Sequence, residues 1–245
     1  MCKRPTIETK IMSRVLVIGD PHCPAMHRNY VSFLKRIYAK HKCDKVVVIG
    51  DLVDWSSISY HPKAPSLMNS EKEFKDAKAQ VRKLHEAFPR AVWLIGNHDS
   101  LTERKAADLG LPLSVLKDYV DLWEVKGWEV IPRYGNKMID GVMYQHGDRG
   151  KGGQISSAFL NAQSEHCSVV QGHFHAQFGV LYFANSKTRL FGMQVGCGVD
   201  HEKEAMAYGK KYNAKPILGC GVVIDGVTAI CEPMLLSGSD KHLIP

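Results

Sequence analysis

Three short apolar runs punctuate the first hundred residues: Arg14-Val15-Leu16-Val17-Ile18, Lys45-Val46-Val47-Val48-Ile49 and Ala91-Val92-Trp93-Leu94-Ile95. Each is continuous rather than alternating, which predicts strands buried on both faces. Between the first two, Tyr30, Phe33, Leu34, Ile37 and Tyr38 share one face of a predicted helix. Between the second and third, Phe74, Ala77, Val81, Leu84 and Phe88 recur at intervals of three and four and stop at Pro89. Ser70-Glu71-Lys72-Glu73 fits a capping box opening that helix. Apolar strands alternating with helices predict a parallel sheet, in which ligands gather at the carboxyl ends of the strands.

Beyond about residue 125 the apolar segments shorten and tight turns separate them. Asp140-Gly141 and Asp225-Gly226 are hairpin signals, Ala184-Asn185-Ser186-Lys187 parts two further strands, and a helix is expected from Gln154 to Glu165. The pattern predicts an α/β fold of two sheets packed face to face with helices outside, the second half being more antiparallel. One domain is expected over residues 1–236, with the polar tail 237–245 left outside the fold.

Composition narrows the chemistry. A formal charge of +7 favours anionic partners, yet the lysines and arginines are scattered, so a phosphate-bearing substrate fits and a nucleic acid is not required. Seven cysteines without a C-x-x-C pair read as reduced thiols, and Cys23 as a small buried residue. No run approaches the roughly 18 apolar residues of a membrane span, and no apolar segment follows the charged start. The expected location is the cytoplasm, with no membrane partner.

The polar residues that follow the predicted strands carry the function. Gly19-Asp20-Pro21-His22, Gly50-Asp51 and Gly96-Asn97-His98-Asp99 come at strand ends, followed by His146 and then Gly172-His173-Phe174-His175. Each alone is a common turn, but in order they supply carboxylate, imidazole and amide donors sufficient for two divalent cations. A cation pair roughly 3.5 to 4 Å apart needs a shared ligand, for which Asp51 is the candidate. Such a pair activates water near neutral pH and orients a phosphoryl oxygen, which points to phosphoester hydrolysis.

In this order the motifs resemble the D-x-H, G-D, G-N-H-D/E, H and G-H-x-H pattern of the calcineurin-like metallophosphoesterase superfamily, spread here from Asp20 to His175. The resemblance implies a four-layer αββα sandwich of two mixed sheets flanked by helices. It implies one cation held by Asp20, His22, Asp51 and His175, and a second by Asp51, Asn97, His146 and His173, with a hydroxide between them as nucleophile. His98 is then the non-ligand histidine beside the scissile phosphate. Manganese, iron, zinc and nickel all suit the donors.

Several neighbours are weaker candidates. Asp99 can fix the His98 tautomer or cap a helix, and Asp54 can support a ligand histidine. Arg149 and Lys151, in the glycine-rich stretch after His146, are candidates to hold the substrate anion, and Tyr60 and His61 more weakly so. Trp55 stands where protein phosphatases of the superfamily carry an arginine, which disfavours a protein phosphatase and leaves phosphate binding to the cations. The closer likeness is to compact bacterial and phage phosphoesterases, with a phosphodiester as the expected substrate. The runner-up is a DNA or RNA nuclease of the SbcD type, although such nucleases usually carry a further DNA-capping region. A non-catalytic binding scaffold is the alternative of a different class, and the intact His98 argues against it.

Overall fold

The computed structural model describes residues 13–60, 67–149, 157–200 and 215–235. The continuous apolar runs form β1 (Arg14–Ile18), β2 (Lys45–Val48) and β3 (Val92–Leu94), connected through α1 (Tyr30–His41) and α2 (Ser70–Ala87). The short helices α3 (Leu101–Asp108) and α4 (Tyr119–Trp123) then lead to β4 (Glu129–Ile131). All four strands are parallel in the order β1-β2-β3-β4, as helical crossovers require.

The cap of α2 lies one residue before the predicted box. Asn69 is the N-cap, accepting from the Lys72 N–H at 2.9 Å, and Ser70 is the first helical residue. Asn and Ser satisfy the same orphan N–H, so the pattern alone does not separate them. Glu73, expected to fold back on the cap, instead reaches Ser56 and Ser57, accepting from their N–H groups at 2.6 and 2.9 Å and from the Ser56 hydroxyl at 2.7 Å. Three donors hold this buried carboxylate better than one cap would.

The second sheet contains β5 (Lys137–Ile139), β6 (Val142–Gln145), β7 (Ser168–Gln171), β8 (Phe178–Ala184) and β9 (Arg189–Val195), in the order β5-β6-β7-β9-β8. The predicted antiparallel character holds at its edges only, because β6 pairs parallel to β7 and β7 to β9. α5 (Ser157–Glu165) makes the crossover from β6 to β7 and sets that parallel pairing. Residues 154–156 of the expected helix lie outside the described residues. Both aspartate-glycine turns form as expected, with φ of 50° and 78° at Asp140 and Gly141 and 54° and 68° at Asp225 and Gly226. The last hairpin, β10 (Gly219–Ile224) and β11 (Thr228–Pro233), returns to the first sheet and lays β10 antiparallel to β1.

Strand alternation assigns the layers. Val15, Val17, Val47 and Ile49 face the second sheet and meet Val142, Tyr144, Val170, Phe191 and Met193. Leu16, Ile18, Val46 and Val48 face the opposite way, onto Tyr30, Phe33, Leu34, Val81 and Leu84. Leu84 is fully buried in this layer, and its truncation to Ala is expected to cost about 2 to 5 kcal/mol. α5 packs on the far face of the second sheet against β7 and β9. The stack is therefore helix, sheet, sheet, helix. Among the described residues no helix is long and apolar enough to cross a membrane.

Candidate metal centre

The carboxyl ends of strands from both sheets meet at one edge of the sandwich. β1 delivers Asp20 and His22, β2 Asp51 and β3 Asn97, while β6 and β7 of the second sheet deliver His146 and the pair His173 and His175. Three of these residues have left-handed backbones: His22 (φ 48°), Asp51 (φ 46°) and His173 (φ 68°). A residue with a Cβ adopts that conformation at a cost of about 1 to 2 kcal/mol, and such strain collects at functional sites. Gly50, with φ of 116°, allows close approach, since a Cβ there would overlap the His146 ring.

Asp20, His22, Asp51 and His175 form a first cluster. Nε2 of His22 is 3.1 Å from Nε2 of His175 and 3.6 Å from Oδ2 of Asp51, and Nε2 of His175 is 3.2 Å from Oδ2 of Asp20. Ligand atoms at about 2.1 Å from one cation stand about 3.0 to 3.4 Å apart, which two of these three distances match and the third exceeds slightly. A second cluster joins Asp51, His146 and His173. Nε2 of His146 is 3.3 Å from Oδ2 of Asp51 and 3.0 Å from Oδ1 of Asn97. Oδ2 of Asp51 thus faces both clusters, while its Oδ1 accepts from the His98 N–H at 2.8 Å.

The cradle fits cations on two further counts. Oδ1 of Asp20 is buried without a hydrogen-bond partner, an orphan lone pair of the kind a cation satisfies. Nδ1 of His146 lies 3.1 Å from the Ile49 carbonyl, which fixes the tautomer that offers Nε2 as a ligand. Burial opposes ionisation of Asp51, but the charges of His146 and His98 outweigh it and hold the carboxyl well below its usual range. Burial likewise opposes ionisation of Asp20, and the His175 hydrogen bond reverses it. Burial pulls the pKa of His22 below normal and so favours the neutral imidazole that a metal takes. At His146 burial acts the same way, but Asp51 raises the pKa to about 10, so a cation there would displace a proton.

Residues 13–215 match the model of the calcineurin-like phosphoesterases. The chain belongs to the calcineurin-like phosphoesterase family. The αββα sandwich and the paired Asp and His clusters agree with that membership, which makes it in general terms a metallophosphoesterase. Among solved structures it is similar to vacuolar protein sorting 29 from Cryptosporidium parvum, at 16% identity over 92% of this chain and 98% of that one, with a TM-score of 0.43. It is also similar to Vps29 of Chaetomium thermophilum, at 10% identity over 90% and 98% of the two chains with a TM-score of 0.41. A third is YfcE, a phosphoesterase from E. coli, at 12% identity over 85% and 87% with a TM-score of 0.36. No curated protein matches.

Around this candidate metal centre the supporting residues divide differently from the sequence expectation. Asp54 is buried, with Oδ1 2.7 Å from Nδ1 of His22 and 3.2 Å from Nδ1 of His98, whose Nδ1 also lies 2.8 Å from the Asp54 carbonyl. Asp54 therefore orients both imidazoles and leaves their Nε2 atoms free for other work. Asp99 takes neither of its two expected roles, because the His98 ring is held by Asp54 instead. Its carboxylate accepts from the N–H groups of Val53 at 3.0 Å and Gly96 at 2.9 Å and from the Trp93 indole at 3.2 Å, and the α3 N-cap is Ser100. Neighbours in a tight turn need not share a partner, and Asp99 instead ties the loop after β2 to the loop after β3. Burial and the Asp51 charge push its carboxyl up to about 7.

Of the expected anion-holding residues, Arg149 and Tyr60 fall among the described residues. Arg149 is exposed and reaches the Tyr134 carbonyl at 3.4 Å, and Lys151 and His61 lie outside the described residues. Tyr60 is exposed, its ring covered by Arg104 and Lys105. Cys23 is buried and burial pushes its thiol up, so it is no nucleophile. Sequence reading passed over Arg133, whose Nε and Nη2 each lie 2.9 Å from Oδ2 of Asp148 and whose Nη1 lies 3.3 Å from the Ser100 hydroxyl. Its signal was positional: it follows a fourth strand, of only three residues, as the other site residues follow theirs.

Proposed function

We propose that the protein hydrolyses phosphoesters with two bound divalent cations, and that phosphodiesters are preferred over protein phosphomonoesters. The observation that carries the reading is the position of Asp51 Oδ2, 3.6 Å from Nε2 of His22 in one cluster and 3.3 Å from Nε2 of His146 in the other. Bound cations would supply an activated water and offset phosphoryl charge.

The chain's own residues would do the rest. With Nδ1 of His98 committed to Asp54, Nε2 is the atom that can donate a proton to the leaving oxygen. Burial lowers the pKa of His98, but Asp51 and Asp54 together raise it to about 10, so the donor is protonated at neutral pH. A cation on Asp51 takes back part of that rise. A diester leaves through an alkoxide oxygen that needs this proton. A binding scaffold would have no use for the buried chain of bonds that joins His22, Asp54 and His98.

The test is metal-free protein reloaded with manganese, iron, zinc or nickel and assayed with bis(p-nitrophenyl) phosphate, p-nitrophenyl phosphate and a phosphoserine peptide. kcat/KM is expected to be highest for the diester. A phosphoserine peptide turned over far better than every diester would overturn the preference. Two bound cations with no turnover of any ester would return the scaffold reading.

A further inference from the structure

Arg133 stands just past β4, the last of the parallel strands β1-β2-β3-β4, whose other members carry Asp20, Asp51 and Asn97 just past their ends. Its guanidinium is anchored at all three nitrogens. Nε and Nη2 both bond Oδ2 of Asp148, two residues beyond His146, and Nη1 reaches the hydroxyl of Ser100, three residues beyond Asn97. The side chain therefore spans the two loops that bring Asn97 and His146 together in the second cluster.

The exposures of the two partners differ in a telling way. The Asp148 side chain is 6% exposed, whereas that of Arg133 is 20% exposed. A guanidinium carries five N–H donors, and Asp148 and Ser100 take one from each of its three nitrogens, which leaves two for a further acceptor. The Arg133 fork is held in orientation on a partly exposed side chain with two N–H groups left over, a preorganised planar donor that suits a phosphoryl group. Arg104 donates to the Asn97 carbonyl at 3.4 Å and adds a second positive charge beside that loop.

We propose that Arg133 is a substrate-contact residue: its open N–H groups bind a phosphoryl oxygen of the ester at the second-cluster end of the cleft, and Asp148 holds the fork in register. The assignment rests on the phosphoester reading for its substrate, but inorganic phosphate alone tests it. Full-length wild-type protein, Arg133→Gln and Arg133→Lys would be loaded with cations, analysed for metal content and titrated calorimetrically with inorganic phosphate.

Arg133→Gln is expected to retain both cations and bind phosphate about 10- to 100-fold more weakly, the range of a lost charge-assisted contact. Arg133→Lys keeps the charge without the fork and should recover only part of the loss, which keeps the test open if the glutamine variant folds poorly. With an ester, KM should rise more than kcat falls. Unchanged phosphate affinity overturns the assignment, as does loss of the second cation in proportion to loss of phosphate binding, the mark of a strap. Wild-type protein that hydrolyses esters no differently from Arg133→Gln defeats the assignment alone. Arginine-dependent phosphate binding with no ester turnover defeats the phosphoester reading alone.

Discussion

Nδ1 of His22 and Oδ1 of Asp54 lie 2.7 Å apart, with both side chains sealed from water. The bond points Nε2 of His22 at the first cluster, and the same carboxylate oxygen lies 3.2 Å from Nδ1 of His98. One buried group thus orients a candidate ligand and a candidate proton donor.

Asp54→Asn should therefore disturb two functions at once. Loss of a carboxylate behind a ligand histidine typically weakens metal binding about 10- to 100-fold. Competition with a chromophoric chelator should show that loss at one of two sites, and kcat should remain depressed when metal is restored in excess. Unchanged affinity together with unchanged kcat would contradict the dual role.

Metal analysis of reloaded protein should approach two divalent ions per chain. Asp51→Asn should weaken both, since Oδ2 of Asp51 is near Nε2 of His22 and of His146 alike. Saturation of wild-type protein at one ion, unaffected by Asp51→Asn, would remove the bridging assignment.

His98→Ala should keep both cations and mainly lower kcat, by about 10²- to 10⁴-fold if the residue acts as a general acid. The loss should shrink for a nitrophenolate leaving group, which needs little protonation. Equal slowing of good and poor leaving groups, or loss of a metal, would end its role as proton donor.

The sequence made much of this legible because parallel strands announce themselves as continuous apolar runs, and the ligands follow those runs directly. β1 was read with its boundaries intact, and β2 and β3 within one residue at the ends. What stayed hidden depended on contacts between distant segments. Nothing local to Asp99 tells that Val53 and Trp93 take its carboxylate, or that Glu73 leaves its own cap for Ser56 and Ser57. The parallel core of the second sheet was missed because β6 and β7 are only four residues each and resemble hairpin strands. Arg133 was missed because its strand is shorter still.

Nucleic-acid binding should be weak in salt dependence if the scatter of lysines and arginines along the sequence carries over to the surface. Titrating duplex and single-stranded DNA against the protein across a range of salt concentrations measures the slope. Tight duplex binding with a steep slope and matching cleavage would promote the nuclease reading.

Away from the metal centre, Glu232 accepts from Lys40 at 2.7 Å and lies 2.6 Å from Nε2 of His41, tying β11 to the end of α1. Burial opposes its ionisation, but these bonds hold its carboxyl below the usual range. A lowered folded pKa gives stability that is present above the unfolded pKa, about 4.3, and fades as pH falls through the folded one. Glu232→Gln should cost about 0.5 to 1 kcal/mol at neutral pH, with the difference from wild type closing in acid. A urea-denaturation gap that widened below pH 4 would contradict this.

β10 and β11 have a consequence for the order in which the molecule can come into being. β1, the strand that carries Asp20 and His22 to the site, pairs on one side with β2 and on the other with β10, Arg14 lying opposite Ile224. A nascent chain stalled before Gly219 would already contain every candidate ligand, yet the strand behind Asp20 would lack half its partners. The first cluster therefore rests on a strand whose pairing is complete only when β10 has docked, and cation capture there would report that docking rather than precede it.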